Sequence, residues 1–283
     1  MPSQRDIRRR IGSVGNIKQI TRAMQFVAAS KLRRAQESVL AARSYSDKID
    51  EVIADLAAVL GSEDHPLLRH ESPGKRLLIV LTTDRPLAGP LNANVIRFAS
   101  RLITETKGDL AVVTVGRKGR EALRRARVPI DAHFANFGDH PTFADVIPLA
   151  RLVTDGFLGD EYGSVELVYG RFVSTLTQRP ESDTLLPIEP TEDTEGIPGN
   201  QFIFEPGAAA VLERLLPRYV ATRIYQAVLE AKASEESSRM VAMRNATDNA
   251  EALIDDLTLA YNKVRQANIT REMIEIATGA QYS

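Results

Sequence analysis

Reading every seventh residue from Ile7 yields Ile7, Val14, Thr21, Ala28, Ala35, Ala42, Ile49 and Leu56, flanked by Ile11, Leu32, Val39, Ile53 and Leu60. This heptad-like seam lies in a stretch, 3 to about 59, that holds no proline and only Gly12 and Gly15 as glycines. It predicts one long helix lying against a helical partner. The same period returns at the other end of the chain. There Met243, Ala250, Leu257 and Val264 form one series, and Ala246, Leu253, Ala260, Ala267 and Ile274 form its companion. From Ala208 to Thr278 glycine is absent and the only proline is Pro217, expected to start or kink the helix. A second long helix is predicted over 218–278.

The middle of the chain has a different period. Arg76–Thr83 (RLLIVLTT), Leu110–Val115 (LAVVTV) and Val165–Val173 (VELVYGRFV) are short β-rich runs, with helical patterns at about 91–105, 118–126 and 142–157 between them. Strands alternating with helices predict a small α/β domain with a partly parallel sheet. Pro180, Pro187, Pro190, Gly196, Pro198 and Gly199 predict an irregular loop before Phe202–Glu205, and Pro206-Gly207 closes the domain. The expected organisation is a first helix over 1–60, a linker over 61–74, an α/β domain over 75–206 and a last helix over 207–283.

Length then constrains the arrangement. A helix of ~60 residues is roughly 90 Å long, whereas a globule of this chain length is roughly 50 Å across. The two helices are therefore expected to lie antiparallel as a shaft, with the α/β domain at its base and the second helix projecting further. Alanine at many inward positions lets two backbones approach closely but buries little, about 1 kcal/mol each against roughly 1.5 to 3 for leucine. So slender a shaft is expected to need a surrounding partner.

Composition adds exclusions. With 43% hydrophobic residues, the 283-residue chain supports a folded, soluble protein with a real core. Its 36 Lys plus Arg balance 37 Asp plus Glu, so net charge suggests neither a nucleic-acid nor a membrane-surface binder. The absence of cysteine removes disulfides, thiolate nucleophiles and Cys-ligated metals. No apolar run approaches the roughly 20 residues of a membrane span. The basic start MPSQRDIRRRIGSVG lacks the apolar core of a secretory signal and reads as mature sequence.

Candidate chemistry is sparse. TTDRPLAGPLNANV, residues 82–95, follows a strand and precedes a helix, where α/β folds bind phosphates. It lacks the GK[ST] and GxGxxG signatures, which favours a plain strand-to-helix turn with Asn92 or Asn94 as helix cap. His65, His70, His133 and His140 have no metal-ligand spacing, and adjacent Asp255 and Asp256 diverge on a helix and read as a solvated face. The basic group Arg5, Arg8, Arg9, Arg10, Lys18, Arg22, Lys31, Arg33 and Arg34 meets only Asp6 before Glu37. It reads as a solvated helix face or as a contact for acidic partner loops. Nucleic acid is less favoured, because stacking aromatics are missing. Neither cofactor nor catalytic group is expected.

Two segments carry a resemblance. IKQITRAMQFVAASKLRRAQ, 17–36, and SRMVAMRNATDNAEALIDDLTLAYNKVRQANITREMIEI, 238–276, resemble the signature ends of the gamma subunit family of bacterial F-type ATP synthases, and TTDRPLAGPLNANV resembles its middle motif. The resemblance implies an antiparallel coiled coil of the N- and C-terminal helices with a central Rossmann-like α/β domain. It implies a non-catalytic central-stalk rotor, turned by proton or sodium flow through a ring of c subunits. The rotor would act on a hexameric ring of alpha and beta subunits, which perform the chemistry, and would also touch the epsilon subunit. Its place would be peripheral, on the cytoplasmic face of the cell membrane. By position in the motifs, Thr21, Met24, Lys31, Arg33 and Arg34 correspond to the N-terminal coupling segment. Arg239, Gln266, Thr270, Glu272 and Glu275 correspond to polar positions of the C-terminal coupling surface and tip bearing. Pro86, Ala88 and Pro90 stand where the family has Gly, Cys and Gly, so an altered backbone is expected there. Gly12 and Gly15 are expected to bend or fray the first helix, at about 1 kcal/mol each. A competing reading, from another class, is a coiled-coil scaffold whose α/β domain senses a small ligand at 84–94. A phosphate-handling enzyme would need an acid-base pair that the sequence does not offer.

Overall fold

Both periodic ends are helical in the computed structural model, which describes residues 3–60, 65–68, 74–188, 205 and 207–279. Helix α1 spans Gln4–Leu60 and helix α5 spans Ala208–Gly279. All eight residues of the seam that begins at Ile7 are buried or half-buried. Gly12 and Gly15 do not interrupt α1. A Cβ at either would meet nothing within 4 Å, so these glycines cost propensity without marking a tight packing point.

Helix α5 starts ahead of the predicted boundary, with Pro217 in its interior. Pro217 removes one backbone hydrogen bond, a loss on the order of 3 kcal/mol in a helix interior. Leu212, Leu216 and Val220 are buried on either side of it. Burying three such side chains offsets that loss, at roughly 1.5 to 3 kcal/mol each.

Contacts divide the chain into two units, residues 1–28 with 239–283, and residues 29–238. In the first, the start of α1 lies against the C-terminal half of α5. Gln4 Nε2 donates to Tyr261 Oη at 3.0 Å and Arg8 Nη2 at 3.2 Å. Lys18 Nζ lies 2.9 Å from Glu251, and the Thr21 and Thr247 hydroxyls are 2.8 Å apart. Partners fall in number on α5 as they rise on α1, so the helices run antiparallel. Ile7, Thr21, Ala28, Met243, Thr247 and Ala250 are buried in this unit.

The second unit is built on a five-stranded sheet. Its strands are β1 (Lys75–Leu81), β2 (Leu110–Val115), β3 (Ala132–Phe134), β4 (Tyr162–Phe172) and β5 (Gln178–Leu186), in the order β3-β2-β1-β4-β5. β1 runs parallel to β2 and β4, β2 runs parallel to β3, and β5 is antiparallel to β4. Central strands covered on both faces read as continuous apolar runs, as RLLIVL does. Leu77, Ile79 and Leu81 of β1 pack on α4 (Phe143–Leu158) and on Ile49, Ile53, Leu56, Leu216, Val220 and Ile224 of the long helices. Leu78 and Val80 turn the other way, onto Leu91, Val95 and Ala99 of α2 (Leu91–Glu105) and Leu123 of α3 (Arg117–Arg125).

Two strands escaped the sequence pattern. β3 is three residues long, too short to show a period. β5 absorbs Pro180, which was predicted in a loop; it is an edge strand, where a missing N–H costs no ladder bond. Of that predicted loop, Pro190, Gly196, Pro198 and Gly199 lie outside the described residues, as do His70 and Phe202. Within the predicted linker, a 3-10 turn at Pro66–Leu68 buries Leu67 and Leu68 completely, and Ile188 N donates to Leu67 O at 2.8 Å. No described helix is long and apolar enough to cross a membrane.

Candidate functional site

Ligands of α/β proteins bind at the carboxyl ends of the strands, where strand order reverses. Here that point lies beside β1, which has parallel neighbours on both sides. A cavity of about 230 Å³ sits there, lined by Thr83–Arg85 after β1, Gly116 and Arg117 after β2, and Asn136–Asp139 after β3. Leu91, Asn92 and Val95 of α2 and Gly170 of β4 also line it, and a further wall is the chain's own α5, through Val228, Ala231, Lys232 and Glu235. A helix thus stands where many α/β folds place a ligand.

The donors that would cradle a phosphate are already engaged. At the start of α3, Arg117 N donates to Asp84 Oδ1 at 3.0 Å, Lys118 N to Thr83 O at 3.1 Å, and Gly119 N to Thr82 Oγ1 at 2.8 Å. Asp84 Oδ2 also accepts from Asn136 N at 2.9 Å. Gly116, at φ 88°, makes this turn possible, since a Cβ there would collide with Thr82 O. Neither Asn92 nor Asn94 caps α2, correcting the sequence expectation; the N-cap position is Pro90. Asn92 reaches back instead, accepting from Thr83 N at 3.1 Å and donating to Thr83 Oγ1 at 2.8 Å. Leu87 takes φ 67° and Gly89 φ 52°, giving the 86–90 loop its own shape. Ala88 O then accepts from Ser238 Oγ of α5 at 2.7 Å.

The wall formed by α5 carries charges that sequence reasoning missed. Asp139, in the loop between β3 and α4, accepts from Lys31 Nζ of α1 at 2.8 Å, from Lys232 Nζ of α5 at 3.4 Å and from Arg85 Nη1 at 3.1 Å. The Lys31 hydrogen bond, with the charges of Lys232, Lys31 and Arg85, holds its carboxyl well below the usual range despite partial desolvation. Lys232 also lies 3.0 Å from Glu235 and 3.5 Å from Glu236. A second carboxylate, Glu230 of α5, is 1% exposed. Arg43 of α1 donates to its Oε1 through Nε at 3.1 Å and Nη2 at 3.0 Å, and Arg171 Nε of β4 lies 4.0 Å from its Oε2. The available signal was EAKASEE, residues 230–236, charges at i, i+3 and i+4 spacing within a helix whose neighbours are small.

Among the ten residues singled out in the sequence, the first unit holds seven. Thr21 is buried against Thr247, Met24 is half-buried, and Arg239 is 8% exposed. Gln266, Thr270, Glu272 and Glu275 are exposed, on C-terminal turns of α5 that also expose Ile269, Met273, Ile274 and Ile276. In the second unit, Arg33 and Arg34 are exposed, whereas Lys31 turns inward to Asp139. Asp255 and Asp256 lie on the exposed face of α5. No cluster of three His, Cys, Asp or Glu side chains suited to a metal occurs among the described residues.

Comparison with known proteins covers essentially the whole length. A family model described as ATP synthase matches residues 3–281. The ATP synthase gamma chain of Roseiflexus sp. (strain RS-1) is 49% identical over 99% of this chain and 98% of its own. That of Dehalococcoides mccartyi (strain BAV1) is 48% identical over 99% of both. A chain in the rotor of the Euglena gracilis mitochondrial ATP synthase superposes with a TM-score of 0.67 at 18% identity, covering 94% of this chain and 98% of that one. A chain in the central stalk and c-ring structure of the Tetrahymena thermophila enzyme gives 0.62 at 24%, covering 80% and 99%. The structural likeness shows a shared fold. With identity near one half over the full length, the chain belongs to the ATP synthase gamma family.

Proposed function

We propose that this chain is the rotor of a bacterial F-type ATP synthase, coupling proton or sodium flow through a c-ring to ATP synthesis or hydrolysis in an alpha/beta hexamer. The chain itself is a non-catalytic subunit, and the epsilon subunit completes its set of partners. The carrying observation is the full-length match to gamma chains on a fold whose two ends are long antiparallel helices. The reading takes these helices as one coiled coil, with the α/β unit as its foot on the cytoplasmic face of the membrane. A sensor of a small ligand at 84–94 is not favoured, because α5 lines that crevice and the protein's own groups occupy the α3 amides.

Coupling follows from unequal contact. A shaft whose surface differs around its circumference favours different conformations of the catalytic subunits as it turns, and each shift is limited by the difference in contact energy. Exposed Arg33, Arg34, Gln266, Thr270, Glu272 and Glu275 are assigned to that changing surface. Thr21, Met24 and Arg239 sit inside or half inside the chain and are assigned to holding the helices in the shape that the ring meets.

Reconstitution tests this. Purified alpha and beta subunits with this chain should hydrolyse ATP and turn a probe fixed to it, whereas the chain alone should not hydrolyse ATP. Full ATPase activity from the isolated chain, or hydrolysis by the assembled complex without rotation, would overturn the proposal. Arg239→Ala should weaken coupling between hydrolysis and ion pumping in reconstituted vesicles while the subunit stays folded. Unchanged pumping would remove Arg239 from the set.

A further inference from the structure

Torque that passes between the α/β domain and the long helices must cross the surface where they meet. Apolar packing resists separation but is non-directional, so it opposes sliding poorly. Hydrogen bonds and ion pairs with fixed partners oppose shear. Among the described residues of 29–238, the ion pairs that join domain and helices fall at two carboxylates, beside neutral bonds such as Ser238 Oγ to Ala88 O at 2.7 Å. Asp139 belongs to the domain and is held by a lysine from each long helix, Lys31 at 2.8 Å and Lys232 at 3.4 Å. Glu230 belongs to α5 and is held by Arg43 of α1 and, at 4.0 Å, by Arg171 of the sheet.

Their placement across the sheet matters as much as their strength. Asp139 follows β3 and Arg171 lies on β4, with β2 and β1 between those strands. At about 4.8 Å per strand, those strands are roughly 14 Å apart. Ties that reach the domain through different strands and loops resist its rotation about the helices, where a single tie would act as a pivot. Weaker bonds, Ser237 Oγ to Thr175 O at 2.6 Å and Tyr225 Oη to Pro141 O at 3.3 Å, lie nearby on α5.

We propose that Asp139 is a torque-bearing positioning residue, the point at which both long helices are ionically latched to the α/β domain, with Glu230 as its counterpart across the sheet. This rests on the rotor reading. It assigns Lys31 to the inside of the rotor, as one arm of the latch, rather than to contact with the surrounding ring.

The test measures stiffness in the assembled complex with alpha and beta subunits. The chain has no cysteine, so Arg124→Cys on exposed α3 gives a handle unique within the chain, used with alpha and beta subunits whose cysteines have been replaced. Angular variance is recorded during the catalytic dwell. Because Asp139 carries the close ion pairs to both helices, whereas Glu230 meets the sheet only at 4.0 Å, Asp139→Asn should widen that variance by about twofold or more, while the ATPase rate and the stepping pattern stay those of the parent. Asp139→Glu should recover part of the stiffness. In the parent, raising salt from about 0.05 to 0.5 M should widen the variance, because partly exposed pairs are screened; this measurement needs no variant to fold. Rotation with variance unmoved by both Asp139→Asn and salt overturns the latch and leaves the rotor reading intact. Hydrolysis by the parent complex without rotation overturns the rotor reading, and the latch falls with it.

Discussion

The same two helices are packed in two ways. In the unit of residues 1–28 and 239–283 they meet through alanine, threonine, methionine and surface pairs such as Lys18–Glu251, whose glutamate is 59% exposed. In residues 29–238 they meet through Ile49, Ile53, Leu56, Leu216, Val220 and Ile224, against a sheet and α4. Small side chains buy close approach at the expense of buried area. The first unit thus trades buried area for close approach, and the second holds the large apolar core.

Breaking this comparison starts in the core. Leu56→Ala, at a fully buried position, should destabilise the second unit by about 2 to 5 kcal/mol in chemical denaturation. A loss below 1 kcal/mol would show that the large-residue contact is not what stabilises it. Next in size is the charge at Asp139. Its carboxyl titrates below the ordinary value of 3.8, so its stabilisation is fully present above that pH and fades as pH falls toward its depressed native value. Asp139→Asn should cost about 2 kcal/mol between pH 5 and 7, as expected for charged hydrogen bonds. The gap from the parent should narrow below about pH 4; a gap independent of pH would deny the ion pairs their role. The smallest effect belongs to the thin unit. Thr21→Val and Thr247→Val should each cost about 1 kcal/mol or somewhat more, because each leaves a buried hydroxyl less satisfied, and the double variant should cost less than their sum. Strict additivity would mean that the 2.8 Å contact contributes no coupling.

The helices were legible in the sequence because their periods are long. Eight inward positions counted from Ile7 are all buried or half-buried, and β2 and α2 fall at their predicted bounds. Failures came where a local signal met a tertiary one. Pro217 reads as a boundary by its chemistry, yet Leu212 and Leu216 ahead of it are drawn into the core. Pro180 reads as a breaker, yet an edge strand spares it. Asn92 reads as a cap, yet it bonds to Thr83 across the turn. The charged site was hardest to see. Lys31 looks like one more surface cation until folding brings it to Asp139, which is 108 residues away in the chain.

The turn of α5 that lines the crevice between Thr83 and Asp139 has one more consequence. A diffusing ligand at this point would bind in proportion to its level in the cell. A helix joined covalently to the sheet is present at a fixed effective concentration, on the order of millimolar or more for a short tether. The wall of the crevice is thereby independent of metabolite supply. A fold that elsewhere leaves this face open to a ligand here carries a permanent wall, with about 230 Å³ left beside it.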